Sequence, residues 1–250
     1  MSKILFFKKF DVVNKSNSSA ELIIYDIIGI DWWTGEGVTA KTVQKALGEI
    51  PTSVDELNIR INSPGGSVFD GVAIYNLIKN SRFKKKKVYI DALAASAASV
   101  IAMAGDEIIM MEASLMMIHQ ASVGSYGNAD QLQNIVDELR LIDDQITSIY
   151  AKKTKKERFE VSTLLKKNGP DGYWMDGAKA IEEGFATSVI SKKDDDDEKT
   201  MRAVAHWNPE ASKNMPWMKM APKMATQKDV VSGKAKSLKQ NIESFLAHRK

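Results

Sequence analysis

The stretch LNIRINSPGGSVFDGVAIYNLI, residues 57–78, followed by KVYID at 87–91, decides the fold class. Leu57–Asn62 alternates apolar and polar residues and is rich in β-branched side chains, the pattern of a strand. Val68, Val72, Tyr75 and Ile78 then recur at helical spacing on one stripe. Lys87–Asp91 returns to strand composition. Working outward, Leu22–Ile28 reads as an earlier strand, and Thr39 as the N-cap of a helix through Leu47. A further helix begins near Ser96 and runs through Ala104. Strand and helix in this alternation imply an α/β fold of parallel β-α-β units with right-handed crossovers.

Beyond this core, Glu107–Met111 and Leu115–His119 read as two short strands around a turn with Ala113 and Ser114. Asn128 or Asp130 caps a long amphipathic helix whose apolar face carries Leu132, Ile135, Leu139, Ile142 and Ile146, ending near Lys152. Helices are also expected over Glu157–Lys166 and Ala178–Glu183.

Composition narrows the function classes. The chain has 250 residues, 44% hydrophobic and 27% charged, enough for one sizeable core. It has no cysteine, which excludes a disulfide framework, a thiolate nucleophile and thiolate metal sites, and leans toward a cytosolic setting. A net charge of +3 with scattered basic residues argues against nucleic-acid binding; Lys84–Lys87 reads as a solvated loop. The weakly polar run Ala92–Gly105 is interrupted by serines and falls short of the roughly 20 residues of a membrane helix. The apolar patch near Met1 is too short for a signal peptide. After Ile190 the run from Lys192 through Asp194–Glu198 to Lys199 cannot pack. Residues 1–190 are therefore expected to form the main domain, and 191–250 a flexible or partner-docking tail with a potential helix over Val230–Ala247.

Three features carry chemistry. Asn62-Ser-Pro-Gly-Gly-Ser67 sits between strand and helix, where adjacent glycines let backbone N–H groups face a cleft with no Cβ in the way. Ser96 lies among alanines just past a strand, where unpaired N–H groups of a helix start favour developing negative charge; the same alanines would also serve close helix packing. His119 closes a strand, and the other two histidines, His206 and His248, lie beyond the acidic break. If Ser96 takes an imidazole base from its own domain, His119 is the supplier.

These motifs, in this order, resemble the proteolytic subunit of Clp proteases, and more closely the phage head maturation (prohead) protease branch. The resemblance spans roughly residues 20–190 and rests on Val38-Thr-Ala-Lys41, Gly66-Ser-Val-Phe-Asp-Gly-Val-Ala-Ile-Tyr-Asn76, Ala94-Ala-Ser-Ala-Ala-Ser-Val-Ile-Ala-Met-Ala-Gly105 and Met117-Ile-His-Gln120. It implies a ClpP/crotonase-like fold and a serine endopeptidase with Ser96 as nucleophile, His119 as general base, and the backbone N–H groups of Gly66 and Ala97 as oxyanion donors. For the triad acid, alignment on Trp174 puts Gly172 at the usual position, next to Asp171; Asp171, Asp176 or no acid are the three options.

The resemblance further implies capsid, scaffold or portal proteins as substrates, action in the host cytoplasm or the assembling prohead, and a homo-oligomer, in ring form, packed through the helix at 129–152. No metal or organic cofactor is called for, because hydroxyl, imidazole and backbone donors suffice. A crotonase-type acyl-coenzyme A enzyme and a non-enzymatic head-assembly or scaffold protein are the alternatives.

Overall fold

The computed structural model describes residues 10–14, 19–31 and 33–190; the expectations for the tail at 191–250 lie outside the described residues. In chain order the elements are β1 (Phe10–Asn14), β2 (Ser19–Ile24), α1 (Ala40–Glu49), β3 (Glu56–Ser63), α2 (Val68–Lys79), β4 (Lys85–Ala95), α3 (Ala97–Ala102), β5 (Glu107–Met111), β6 (Leu115–Ile118), α4 (Ala129–Thr154), α5 (Arg158–Lys166), β7 (Tyr173–Met175), α6 (Gly177–Glu182) and β8 (Ser188–Ile190). A 3-10 turn at Gly169–Asp171 precedes β7.

The main path of the sheet runs β1-β2-β3-β4-β5-β8, with β6 and β7 off it. The steps from β2 through β8 are parallel, and among the described strands β1–β2 and β6–β7 are antiparallel. This is the α/β arrangement of the β-α-β reading. One face of its central strands is packed into the core, the alternating residues of the other face being mostly half-buried. Leu57, Ile59 and Ile61 of β3 and Val88, Ile90 and Ala94 of β4 are all fully buried. Each large aliphatic side chain so buried contributes about 1.5–3 kcal/mol relative to exposure.

Local signals place the helix starts. Thr39 accepts from Thr42 N and closes a capping box before α1, and Asn128 does the same with Gln131 before α4. Several boundaries differ from the sequence reading. The second strand is Ser19–Ile24, and Ile28 makes isolated bridges to Val38 and Gly66 instead of continuing it. The strands β7 and β8 are too short to show a period.

The most consequential difference is β4, which extends to Ala95 rather than ending at Asp91. Its register with β3 shifts between Ile61, paired with Ile90, and Ser63, paired with Ala94. Such an irregularity bends a strand. Lys87–Ile90 pairs with β5, whereas Leu93–Ala95 pairs with Leu115–Met117 of β6. The strand thus changes partner beyond Ile90, and its end delivers Ser96 beside the end of β6, where His119 follows.

Candidate active site

Ser96 is the N-cap of α3 at φ 53° and ψ −125°, a left-handed conformation unusual for a residue with a Cβ. Its N–H donates to the Met117 carbonyl at 2.9 Å, extending the β4–β6 pairing by one residue. Its carbonyl accepts from Ser99 N at 2.9 Å and from Ser99 Oγ at 2.6 Å. The Ser99 hydroxyl also meets the Tyr150 hydroxyl at 2.8 Å. Because Ser99 spends its one hydrogen on the Ser96 carbonyl, Tyr150 is the donor in that contact. Both ends of the Ser96 backbone are therefore held, which lets a sparsely populated conformation persist.

The hydroxyl of Ser96 lies 2.7 Å from His119 Nε2. The Pro170 backbone also acts on the imidazole, favouring its charged form, and since proline has no N–H the group involved is its carbonyl. With the proton on Nδ1, Nε2 is free to accept the Ser96 O–H, the tautomer a general base requires. Burial holds His119 below the ordinary histidine range, while the Pro170 carbonyl and the charge of Asp143 pull it back up. The ring is thus biased toward the neutral form.

The glycine turn stands against the same residues. Gly65 has φ 92°, and a Cβ there would sit 2.8 Å from Ser96 Cβ and 3.0 Å from Ala97 N. Gly66 has φ 144°, and a Cβ there would lie 2.2 Å from the Ile28 carbonyl oxygen. Ile28 and Ser67 tie this turn down through Ile28 N to Gly65 O and Ser67 N to Ile28 O, each 2.8 Å. Neither Gly66 N nor Ala97 N donates in these turn-and-cap bonds among the described residues. The alanines around Ser96 also serve packing: a Cβ on Gly71 of α2 would be 3.0 Å from Ala97 Cβ. Small residues thus bring α2 against α3 while leaving the serine accessible.

The acid is where geometry and sequence reading part. Asp171 is exposed and joins the site region through its backbone, its carbonyl accepting from Trp174 Nε1 at 2.7 Å. Its carboxylate is not among the hydrogen-bond partners of His119. Pro170, one residue earlier, supplies the backbone carbonyl that meets the ring. Asp176 is occupied as the N-cap of α6, accepting from Lys179 N at 2.8 Å. Gly172, at φ 75°, has no room for a side chain: a Cβ there would lie 2.5 Å from Met117 Sδ. A carboxylate at that position would therefore require Met117 to move.

Four groups around the dyad were not singled out as functional by the sequence: Pro170, Ser99 as a link, Tyr150 and Asp143. Tyr150 is fully buried on α4, and burial pushes its phenol far up. Its hydroxyl partner lies on another helix, which spacing along α4 does not report. Among the described residues no cluster of three or more His, Cys, Asp or Glu side chains is placed to hold a metal ion. No helix among them is long and apolar enough to cross a membrane.

The Clp protease family model matches residues 21–193. A Clp protease proteolytic subunit of Bacteroides thetaiotaomicron is 31% identical over 160 residues, covering 62% of this chain and 70% of that protein. One from Deinococcus radiodurans is 30% identical over 139 residues, 55% of this chain and 66% of that protein. Proteolytic subunit 1 of Prochlorococcus marinus is 26% identical over 166 residues, 64% and 83% respectively. Among solved structures, a mutant ClpP1 of Listeria monocytogenes superposes with a TM-score of 0.58 at 22% identity, covering 71% of this chain and 94% of that one. That likeness shows the ClpP/crotonase-like fold.

Proposed function

The chain belongs to the Clp protease family, and from that premise we propose that it is a serine endopeptidase working through Ser96 and His119. The observation that carries the reading is the 2.7 Å approach of Ser96 Oγ to His119 Nε2 at the start of α3. In the reaction His119 Nε2 takes the hydroxyl proton as Ser96 Oγ bonds to the scissile carbonyl carbon. The carbonyl oxygen becomes an oxyanion, held by the N–H groups of Gly66 and Ala97. As the tetrahedral intermediate collapses, the C–N bond breaks and the imidazolium protonates the leaving amine. Water, deprotonated by the same imidazole, then releases the acyl group and restores Ser96. In this scheme the Pro170 carbonyl takes over the orienting part of a triad acid, so Asp171 contributes its loop more than its carboxylate.

The substrates in this reading are capsid, scaffold or portal proteins cut during phage head maturation, in the host cytoplasm or the assembling prohead. The chain acts there as a homo-oligomer, in ring form, built through α4. Leu132, Val136 and Leu141 support that assembly, since all three are exposed apolar side chains on this helix. Residues 191–250 form the segment that docks on a partner or is removed by self-cleavage.

The test is coexpression with a coat or scaffold protein from the same source, with mass spectrometry of both chains. Cleavage by the wild type and none by Ser96→Ala is expected; cleavage retained by Ser96→Ala would remove the nucleophile. Intact coat and scaffold proteins beside a wild-type chain that still reacts with a fluorophosphonate would remove the head-maturation role alone.

A further inference from the structure

We propose that Asp143, on α4, is a positioning residue for His119, clamping the Gln120–Ala121 segment so that the imidazole stays aimed at Ser96. The proposal rests on the serine-peptidase reading above and assigns a role which that reading leaves empty, that of the carboxylate serving the base.

The geometry starts from where β6 stops. Its ladder ends at Ile118, so His119 is the first residue past regular pairing, and residues 119–128 form no helix or strand. A base in such a position drifts unless something beyond it is anchored. Asp143 supplies that anchor with both oxygens. Oδ2 accepts from Gln120 Nε2 at 2.7 Å, and Oδ1 accepts from Ala121 N at 2.7 Å. The two residues that follow the base are thus tied to one carboxylate, and bonds to a charged acceptor are the stronger kind.

The anchor is itself rigid. Ile146 and Tyr150, one and two turns further along α4 on the same side, are buried. Tyr150 reaches Ser99, whose hydroxyl holds the Ser96 carbonyl. One face of one helix therefore fixes both the base segment and the nucleophile segment, and the distance between them depends on α4 as a unit. The charge also lies where it is useful, since a carboxylate near the imidazole favours the imidazolium formed when the Ser96 proton is taken. The other groups around the ring are the Pro170 carbonyl from the 3-10 turn and the Ser96 hydroxyl from α3. Asp144, next along α4, is turned to Arg158 instead.

The experiment uses the full chain and a fluorophosphonate as probe, comparing wild type with Asp143→Asn over about pH 5 to 9, the range in which a histidine base titrates. In parallel, the His119 ring proton is followed by NMR titration, assigned by its loss in His119→Gln. Asp143→Asn is expected to slow labelling by at least about tenfold, the scale of a modest misplacement of a reacting group. It is also expected to move the His119 titration and the acidic limb of the rate to lower pH, because the variant lacks the charge that favours the imidazolium. Gln120→Glu combined with Asp143→Asn restores a charged hydrogen-bonded pair and is expected to recover part of the rate. A rate within about twofold of wild type, with an unmoved titration, overturns the proposal. So does a slowed rate with an unmoved titration and no recovery in the double variant, which marks a merely structural role. If Asp143→Asn does not fold, Gln120→Ala removes half of the clamp and is read by the same criteria. A wild-type chain that the fluorophosphonate does not label sinks the peptidase reading itself, whereas the titration still reports whether Asp143 acts on His119.

Discussion

Asp91 lies within β4 and Ser96 just past its end, and the protein treats their polar groups in opposite ways. The Asp91 carboxylate is almost wholly buried and fully engaged: Arg60 donates to both of its oxygens, through Nε at 2.9 Å and through its second terminal nitrogen, and the Tyr25 hydroxyl donates as well. Arg60 in turn stacks over the Tyr89 ring, with its guanidinium carbon 5.2 Å from the centroid. Ser96 is half-buried, its hydroxyl has one imidazole as partner, and its backbone sits in a strained region. A buried charge persists where every lone pair is used. A reactive group needs the reverse, with unspent hydrogen-bonding capacity beside it and strain absorbed by neighbours. The slip in register between β3 and β4 lies between Ile90 and Ala94, so Asp91 sits within the irregular stretch and Ser96 beyond it.

The sharpest way to break this contrast is to remove each group in turn. Ser96→Ala is expected to lower reactivity toward a fluorophosphonate by more than about a thousandfold, as loss of a nucleophile does. Its urea-unfolding midpoint should stay close to wild type. Equal loss of folding would show that Ser96 is structural like Asp91.

Arg60→Ala is expected to do the opposite, costing about 3–5 kcal/mol in unfolding free energy because it strands Asp91 in the core. The paired replacement Arg60→Met with Asp91→Leu should restore most of that stability. A small effect for Arg60→Ala would mean that Asp91 finds water or another donor.

Gly65→Ala sharpens the comparison where the turn meets the nucleophile. Its Cβ would lie 2.6 Å from the Ala95 carbonyl oxygen, at a φ of 92°. A loss of about 1–3 kcal/mol is expected, with labelling reduced more steeply than stability, because the displaced groups are Ser96 and Ala97. Tyr150→Phe should be milder, about 1 kcal/mol for one neutral hydrogen bond, with a few-fold slower reaction.

The smallest effect is a displacement on the pH axis. Burial lowers the His119 pKa, so the neutral base survives to lower pH than a free imidazole, and the acidic limb of the labelling rate is expected below pH 6.5. The sign for stability follows. Between the folded and unfolded values the unfolded chain binds more protons, so stability rises with pH through that window and is lost as pH falls. A limb at or above 6.5 would mean that the Pro170 and Asp143 contributions outweigh burial.

What could be read from residues alone was the local and the periodic. The alternation of strand and helix, the Thr39 and Asn128 caps and the burial of Tyr75 and Ile78 on α2 follow from side-chain spacing within a few residues, whereas Gly71 and Ile74 complete the buried face of α2 in place of Val68 and Val72. Ser96 and His119 were legible as candidates because each is unusual for its neighbourhood, a hydroxyl at a helix start and the one histidine before the acidic break. Asp171 was drawn in by alignment on Trp174, which put its neighbour Gly172 at the position of the acid. A turn residue's neighbour in sequence says little about which group of the turn acts on the ring, and here the backbone of Pro170 favours the charged imidazole.

The amino-acid sequence by itself determined the α/β class and the helix starts and marked Ser96 and His119 as candidates, because each depends on contacts within one element or on residue type. Only the tertiary structure decided that β4 changes partner to bring Ser96 to His119, that the Asp171 carboxylate is not a partner of the ring, and that Asp143 holds the segment after His119. Those outcomes depend on distances between parts of the chain far apart in sequence, set by sheet register and the packing of α4, and no local periodicity encodes them.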